Sequence, residues 1–164
     1  MNISASNLPS SFSFLCFGSN SNPFFRIYRV RDRDELLIYE SETAYDNLNP
    51  TFNRVQLSER RLCKNDPDRK FQIRFYNYSI TGAHSYIGSV ETTVNRILDP
   101  RNYPIINSKN QEKGNIRFSS IKRYVRYRFM DFMSVGLQLL LITCIDFTAS
   151  NGSPNSPQSL HYLT

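Results

Sequence analysis

Two sets of residues in this 164-residue chain have types and spacings that could do chemistry. Asp146-Phe147-Thr148-Ala149-Ser150 sets a carboxylate and two hydroxyls at alternate positions after an apolar run. On a loop following a strand, such oxygens can converge on one hard cation, and magnesium prefers ligands of this kind while keeping waters. The second set is basic. Arg60, Arg61, Lys64, Arg69, Lys70 and Arg74 form one dense group, and Lys122, Arg123, Arg126 and Arg128 another. Each Lys or Arg close to an anionic lipid surface contributes on the order of 1 kcal/mol, so a face carrying about four to six would hold a domain there reversibly. Twenty Lys+Arg against fourteen Asp+Glu give a net charge of +6, which favours an anionic partner.

The sequence carries no Gly-x-Ser-x-Gly, P-loop, His-Glu-x-x-His or Gly-rich dinucleotide turn, so no enzyme is expected. Its two histidines are His84, on an expected loop, and His161, near the terminus. Cys63 has Arg60, Arg61 and Lys64 beside it, neighbours that lower a thiol's pKa. With no evident histidine partner it reads as a surface or half-buried thiol. Asp32, Asp34 and Glu35 alternate with Arg31 and Arg33, the pattern of a solvated turn. Cys16, Cys63 and Cys144 are too few and too scattered for a disulfide framework and fit a reducing compartment. The longest apolar run, Leu139 to Ile145, is far short of the ~20 residues that cross a bilayer. No basic residue precedes the apolar stretch Phe12 to Phe17, so no signal peptide is read. The sequons at Asn2, Asn77 and Asn151 are accordingly expected to be idle. Nucleic acid is not an expected partner, because the aromatics sit at core alternation and no binding module is visible.

The elements that must position these residues are mostly strands. Phe24 to Arg31, Leu36 to Thr43, Thr51 to Leu57, Arg69 to Tyr78, Tyr86 to Val94 and Gly114 to Tyr124 are short aromatic and β-branched runs separated by turn signals. In Arg69 to Tyr78, Phe71, Ile73 and Phe75 take one face and Gln72, Arg74 and Tyr76 the other. Regular short strands of this kind predict an all-β antiparallel sandwich of about eight strands. Asn102 to Gly114 reads as a long polar loop. After residue 125 the pattern changes. Phe129 to Met133 has helix formers and stops at Gly136, and the continuous apolar run 139–145 is that of a strand buried on both faces of a parallel sheet. Residues 125–164 therefore read as the opening of a second domain that the chain does not complete.

Asp146-Phe147-Thr148-Ala149-Ser150-Asn151-Gly152, followed by Ser159-Leu160-His161-Tyr162, resembles the start of the von Willebrand A-type domain of copines. Upstream, Ser21-Asn22-Pro23-Phe24 resembles a first calcium loop of a C2 domain. Asn47-Leu48-Asn49-Pro50-Thr51-Phe52 resembles the opening of its fourth strand, and Phe75-Tyr76-Asn77-Tyr78 with Gly82, His84, Ile87 and Gly88 its third calcium loop and the strand after it. Phe129-Met130-Asp131-Phe132 with Gly136 resembles the family's connector between the two domains. Plant-type copines look closest. The resemblance implies a C2 domain over residues 1–124, similar to the second C2 domain of copines. A connector helix and the first strand of an incomplete α/β A-type domain follow over 125–164.

What the resemblance implies for function is calcium-regulated binding to anionic phospholipid, with the A-type segment recruiting a protein partner. It also implies a cytoplasmic protein associated peripherally with the plasma membrane, in trafficking or signalling. The family uses calcium in its C2 domains and magnesium in its A-type domain. Here the calcium positions fall on Asn22, Asn77, Ser79 and Ser85, and no Asp or Glu occurs before Asp32 or between Asp68 and Glu91. Calcium takes about 6–8 oxygen ligands and needs carboxylates among them, so the expectation is electrostatic, calcium-independent lipid binding by the basic residues. Phe12, Phe14, Leu15 and Phe17 form a candidate apolar tip beside Asn22. Asp146, Thr148 and Ser150 form part of a metal-ion-dependent adhesion site, whose later ligands the sequence lacks. The rival expectations are a protein-interaction module and a degenerate, truncated copine with no stable activity.

Overall fold

Alternation dictates the framework. The computed structural model describes residues 1–10, 21–30, 34–143 and 149–162. Seven strands form among these: β1 (Asn2–Ser6), β2 (Pro23–Val30), β3 (Glu35–Glu40), β4 (Phe71–Asn77), β5 (Ser85–Thr92), β6 (Asn102–Ile106) and β7 (Glu112–Ser119). They pair antiparallel in the order β1-β7-β6-β5-β4-β2-β3. β5 and β6 meet only at Ser89 and Ile106, so the sheet turns there. Gly88 permits this close approach, because a Cβ on it would stand 2.8 Å from the Ile105 side chain and 2.9 Å from the Ile106 carbonyl oxygen.

The expected strand over Thr51 to Leu57 appears in a looser form. It bridges β1 at Ser4 and Thr51, and the N–H groups of Phe52 and Val55 donate to the carbonyls of Ile3 and Met1. Asn102 to Gly114 is a correction: it is the β6–β7 hairpin and not a long loop. Tyr103 and Ile105 alternate inward from β6, and the Tyr103 hydroxyl reaches the Arg96 carbonyl.

The two halves of the folded sheet enclose one core. Ile3, Phe52, Val55, Ile116 and Phe118 come from one side and Phe25, Ile27, Phe71, Ile73 and Phe75 from the other, all almost fully buried. Two short helices close the lower end, α1 (Glu59–Cys63) and α2 (Val94–Ile97). The Thr93 hydroxyl caps α2 by accepting from Arg96 N–H at 3.2 Å.

Two compact units result, Met1–Arg123 and Tyr124–Thr164. The second holds the expected helix, α3 (Phe129–Ser134), whose first turn is closed by Arg128 N–H donating to Asp131 Oδ2 at 2.6 Å. Gly136, at φ +97°, ends it as the sequence suggests. The apolar run is a second correction. Over its described part, 139–143, there is no strand, and Leu140 is 85% exposed. A parallel strand is held only by neighbours, and this unit supplies none among its described residues. Further on, Asn151 gathers the chain's end. Its carbonyl accepts from Ser159 Oγ at 2.9 Å and its amide meets His161 Nε2 at 2.9 Å.

Candidate functional site: the loop end of the sandwich

Antiparallel order places four connections at one end of the sheet: the two ends of 7–22, then 41–50, 78–84 and the hairpin 107–111. Asn22 holds three of them together. Its N–H donates to Asn77 Oδ1 at 2.6 Å, its Oδ1 accepts from Asp46 N–H at 2.8 Å, and its carbonyl accepts from Tyr78 N–H at 2.9 Å. Asn7 N–H donates to Asn49 Oδ1 at 2.9 Å and closes the same end. Asn22 and Asn77 thus meet. Ser85 joins them as the register partner of Asn77 across β4 and β5. Ser79 turns into its own loop, where its Oγ pairs with Thr81 Oγ1 at 2.7 Å and its N–H donates to His84 Nδ1 at 3.1 Å.

Chemically this is a loop end tied by amides. The Oδ1 atoms of Asn22 and Asn77 already accept backbone N–H groups, and neither brings charge. No group of three or more His, Cys, Asp or Glu that could hold a metal ion occurs among the described residues. Sequence reasoning missed the carboxylates of the connection 41–50, Glu42 and Asp46, both exposed. An aromatic stack backs the site. His84 lies on Tyr78 at 5.2 Å and edge-on to Phe24 at 4.9 Å, and Tyr45 meets Tyr78 at 6.1 Å. Ile80 projects beyond them, 91% exposed. The candidate tip residues Phe12, Phe14, Leu15 and Phe17 lie outside the described residues, as do Asp146 and Thr148. Ser150 sits in a 3-10 turn, Ala149–Asn151.

The predicted basic group is spread over α1, the segment after it and β4. Arg74 stands on β4, ion-paired with Glu35 and laid over the Tyr28 ring at 4.6 Å. Lys70 pairs with Glu91 at 2.7 Å. Arg60 and Arg61 on α1, with Lys64 and Arg69 after it, have no carboxylate partner among the described residues, but they sit at the opposite end from the loops. An eight-residue strand separates the two ends by roughly 25 Å. The buried Arg29 fixes that far end by donating from Nη1 to the Arg61 carbonyl at 2.8 Å and the Arg60 carbonyl at 3.4 Å. Of the second basic group, Arg123 pairs with Glu59 at 2.6 Å. The cations that do reach the loop end are Lys109 and Lys113, which the sequence reading passed over because it took their segment for a loop. The alternation of Tyr103 and Ile105, followed by the Asn-Ser-Lys-Asn turn, was the signal for the hairpin that carries them.

Cys63 is a further correction. It is fully buried as the last residue of α1, with Sγ donating to the Glu59 carbonyl at 3.2 Å. Burial, helped by the Glu59 carboxylate, pushes its thiol up rather than down. The basic side chains of Arg60, Arg61 and Lys64 point to solvent and do not offset this. In the folded protein at mildly alkaline pH, Cys63 is expected to escape iodoacetamide while the unfolded chain is labelled there, as peptide mass spectrometry would resolve. Rapid labelling of Cys63 in the folded state would contradict the buried position.

With this geometry in hand, comparison with known proteins is consistent. The C2 domain family matches residues 1–111. Copine-A of Dictyostelium discoideum is 35% identical over 156 residues, covering 89% of this chain and 26% of that protein. Copine-C of the same organism is 34% identical over 151 residues, covering 87% and 28%. The chain thus spans little more than a quarter of the length of these relatives. The solved structure of BON1-C2B matches with a TM-score of 0.60 at 21% identity, over 71% of this chain and 83% of that one, a likeness of fold. The chain carries a C2 domain and belongs to the copine family.

Proposed function

We propose that this chain is a peripheral membrane module that binds anionic phospholipid through the loop end of its C2 domain, without a calcium bridge. One observation carries the reading: the positions that the family resemblance assigns to calcium ligands are amides and hydroxyls, and the Asn22 and Asn77 oxygens already serve backbone donors. A carboxylate-rich tip repels anionic lipid until a cation neutralises it. A tip with amides and hydroxyls at those positions lacks that repulsion there, and Lys109 and Lys113 at the same end attract such lipid. Ile80 adds an apolar side chain that can enter the interface. No helix among the described residues is long and apolar enough to cross a membrane, so the contact is peripheral in this reading. The plasma-membrane location and a role in trafficking or signalling belong to the same proposal.

In the same proposal, residues 1–124 are the C2 domain and 125–164 the opening of an A-type domain. The exposed run 139–143 is then surface that a complete domain of that type would cover, and a protein partner could use it. A plant-type copine is part of the same proposal, and no catalytic activity is proposed.

Sedimentation with phosphatidylserine vesicles tests the function. Binding is expected to be equal in calcium and in chelator and to fall at least about tenfold between low and high salt, because exposed charge is screened. A requirement for calcium would overturn the reading, as would binding indifferent to salt.

A further inference from the structure

The loop end contains a concave site that shares only Asn77 and Ser85 with the positions of the calcium reading. A cavity of about 320 Å³ opens between the end of β4, the start of β5 and the β6–β7 hairpin, with Ser21, Asn77, Ser85, Lys109 and Lys113 in its wall. We propose that this cavity binds a phosphate group, with Lys109 and Lys113 supplying charge and Asn77 and Ser85 supplying neutral donors. The inference deepens the membrane reading and rests on it only for the source of the phosphate.

The hairpin holds Lys109 in place. Asn107 Oδ1 accepts the N–H groups of both Lys109 and Gln111 at 2.9 Å, and Asn107 N–H donates to the Gln111 carbonyl at 3.0 Å. Lys113 is half-buried on β7. Among the described residues neither lysine has a carboxylate partner and no Asp or Glu is in the cavity wall. Both charges are therefore available to a ligand. Asn77 Oδ1 is committed to Asn22 N–H at 2.6 Å, which leaves the Nδ2 hydrogens as what this side chain can offer. Two lysines, an asparagine and a serine lining a space at the small end of ligand pockets suit a compact, multiply charged oxyanion. Lysine serves such a group as a point charge. A bare cation would find two positive charges there, and an apolar ligand would leave them unpaired.

Inorganic phosphate and a lipid headgroup share this chemistry, so the experiment has two arms on the full chain. In the first, inorganic phosphate is titrated against the 15N-labelled protein, with chloride at matched ionic strength as control. Saturable shifts at Ser85, Lys109 and Lys113 are expected, and Lys109→Gln with Lys113→Gln should abolish them. In the second, phosphatidylcholine vesicles with and without phosphatidylserine are sedimented with the wild type, with that double variant and with Arg60→Gln/Arg61→Gln. The last removes the same charge from the far end of the domain. The lysine variant is expected to lose about tenfold to thirtyfold in vesicle affinity and the arginine variant much less. Unchanged thermal melting of both variants excludes unfolding as the cause. Phosphate shifts without vesicle binding would keep the cavity as a site for free phosphate and overturn the lipid source. Vesicle binding with no localised phosphate shift, and equal losses from both variants, would overturn the cavity while leaving the membrane reading intact.

Discussion

Replacing Phe25 by alanine is expected to lower the unfolding free energy by about 3–5 kcal/mol. Phe25 is fully buried on β2, and its ring lies where the two halves of the sheet meet. It stands edge-on to Phe52 at 4.9 Å and tilted against Phe75 at 5.7 Å and Tyr39 at 5.8 Å. Phe52 belongs to the segment beside β1, and Phe75 to β4, so the ring joins both layers. Removing it forfeits the transfer free energy and leaves a cavity among backbones fixed by ladder hydrogen bonds, which relax only partly. Against a total of roughly 5–15 kcal/mol, the loss would leave the domain marginal or unfolded. Urea denaturation should show the midpoint falling with an unchanged slope. Phe25→Leu, which refills much of the volume, should cost less than half as much. A loss below about 1 kcal/mol for Phe25→Ala would mean that the two layers are not joined at this ring.

The same packing explains how much of the molecule the sequence discloses. β4 buries large side chains on strict alternation, so Phe71, Ile73 and Phe75 read directly as a core face, and β2 alternates from Phe25 onward. β1 buries only Ile3 and Ala5 between serines and asparagine, so its pattern is too weak to see, although it carries one edge of the core. α1 and α2 have five and four residues, too few for a helical period to show. Charge was read less well than fold for a different reason. Sequence proximity put Arg60 to Arg74 in one group, but a helix, a turn and a strand carry them to different places, and Glu35 and Glu91 reach across from other strands to pair with two of them. Lys109 and Lys113 are scarcely visible as a pair until the hairpin sets them beside Asn77. The amides at 22 and 77 were legible as departures from a calcium site. Their hydrogen bonds to the backbone were not, because those depend on how three loops meet.

Those hydrogen bonds make the loop end convertible, and the conversion gives the largest functional effect expected. Asn22→Asp, Asn77→Asp, Ser79→Asp and Ser85→Asp together should turn calcium-independent lipid binding into calcium-dependent binding. Aspartate at 22 and 77 is isosteric with asparagine and keeps the acceptor oxygen that Asp46 N–H and Asn22 N–H now use, so the loops need not rearrange. Four carboxylates would lower the net charge of +6 by four, all of it at the loop end. At about 1 kcal/mol per charge, vesicle affinity in chelator should fall by roughly a thousandfold. Calcium should restore it, with a dissociation constant on the order of 10⁻⁴–10⁻³ M, the range of modest carboxylate sites. Terbium luminescence sensitised by Tyr45 and Tyr78 would report the ion, and sedimentation in calcium and in chelator would report the lipid. The wild type should show neither a terbium signal nor a calcium effect. Calcium-dependent binding by the wild type would mean that oxygens other than these four side chains complete a site, and the amide-tied loop end would then be a calcium site after all.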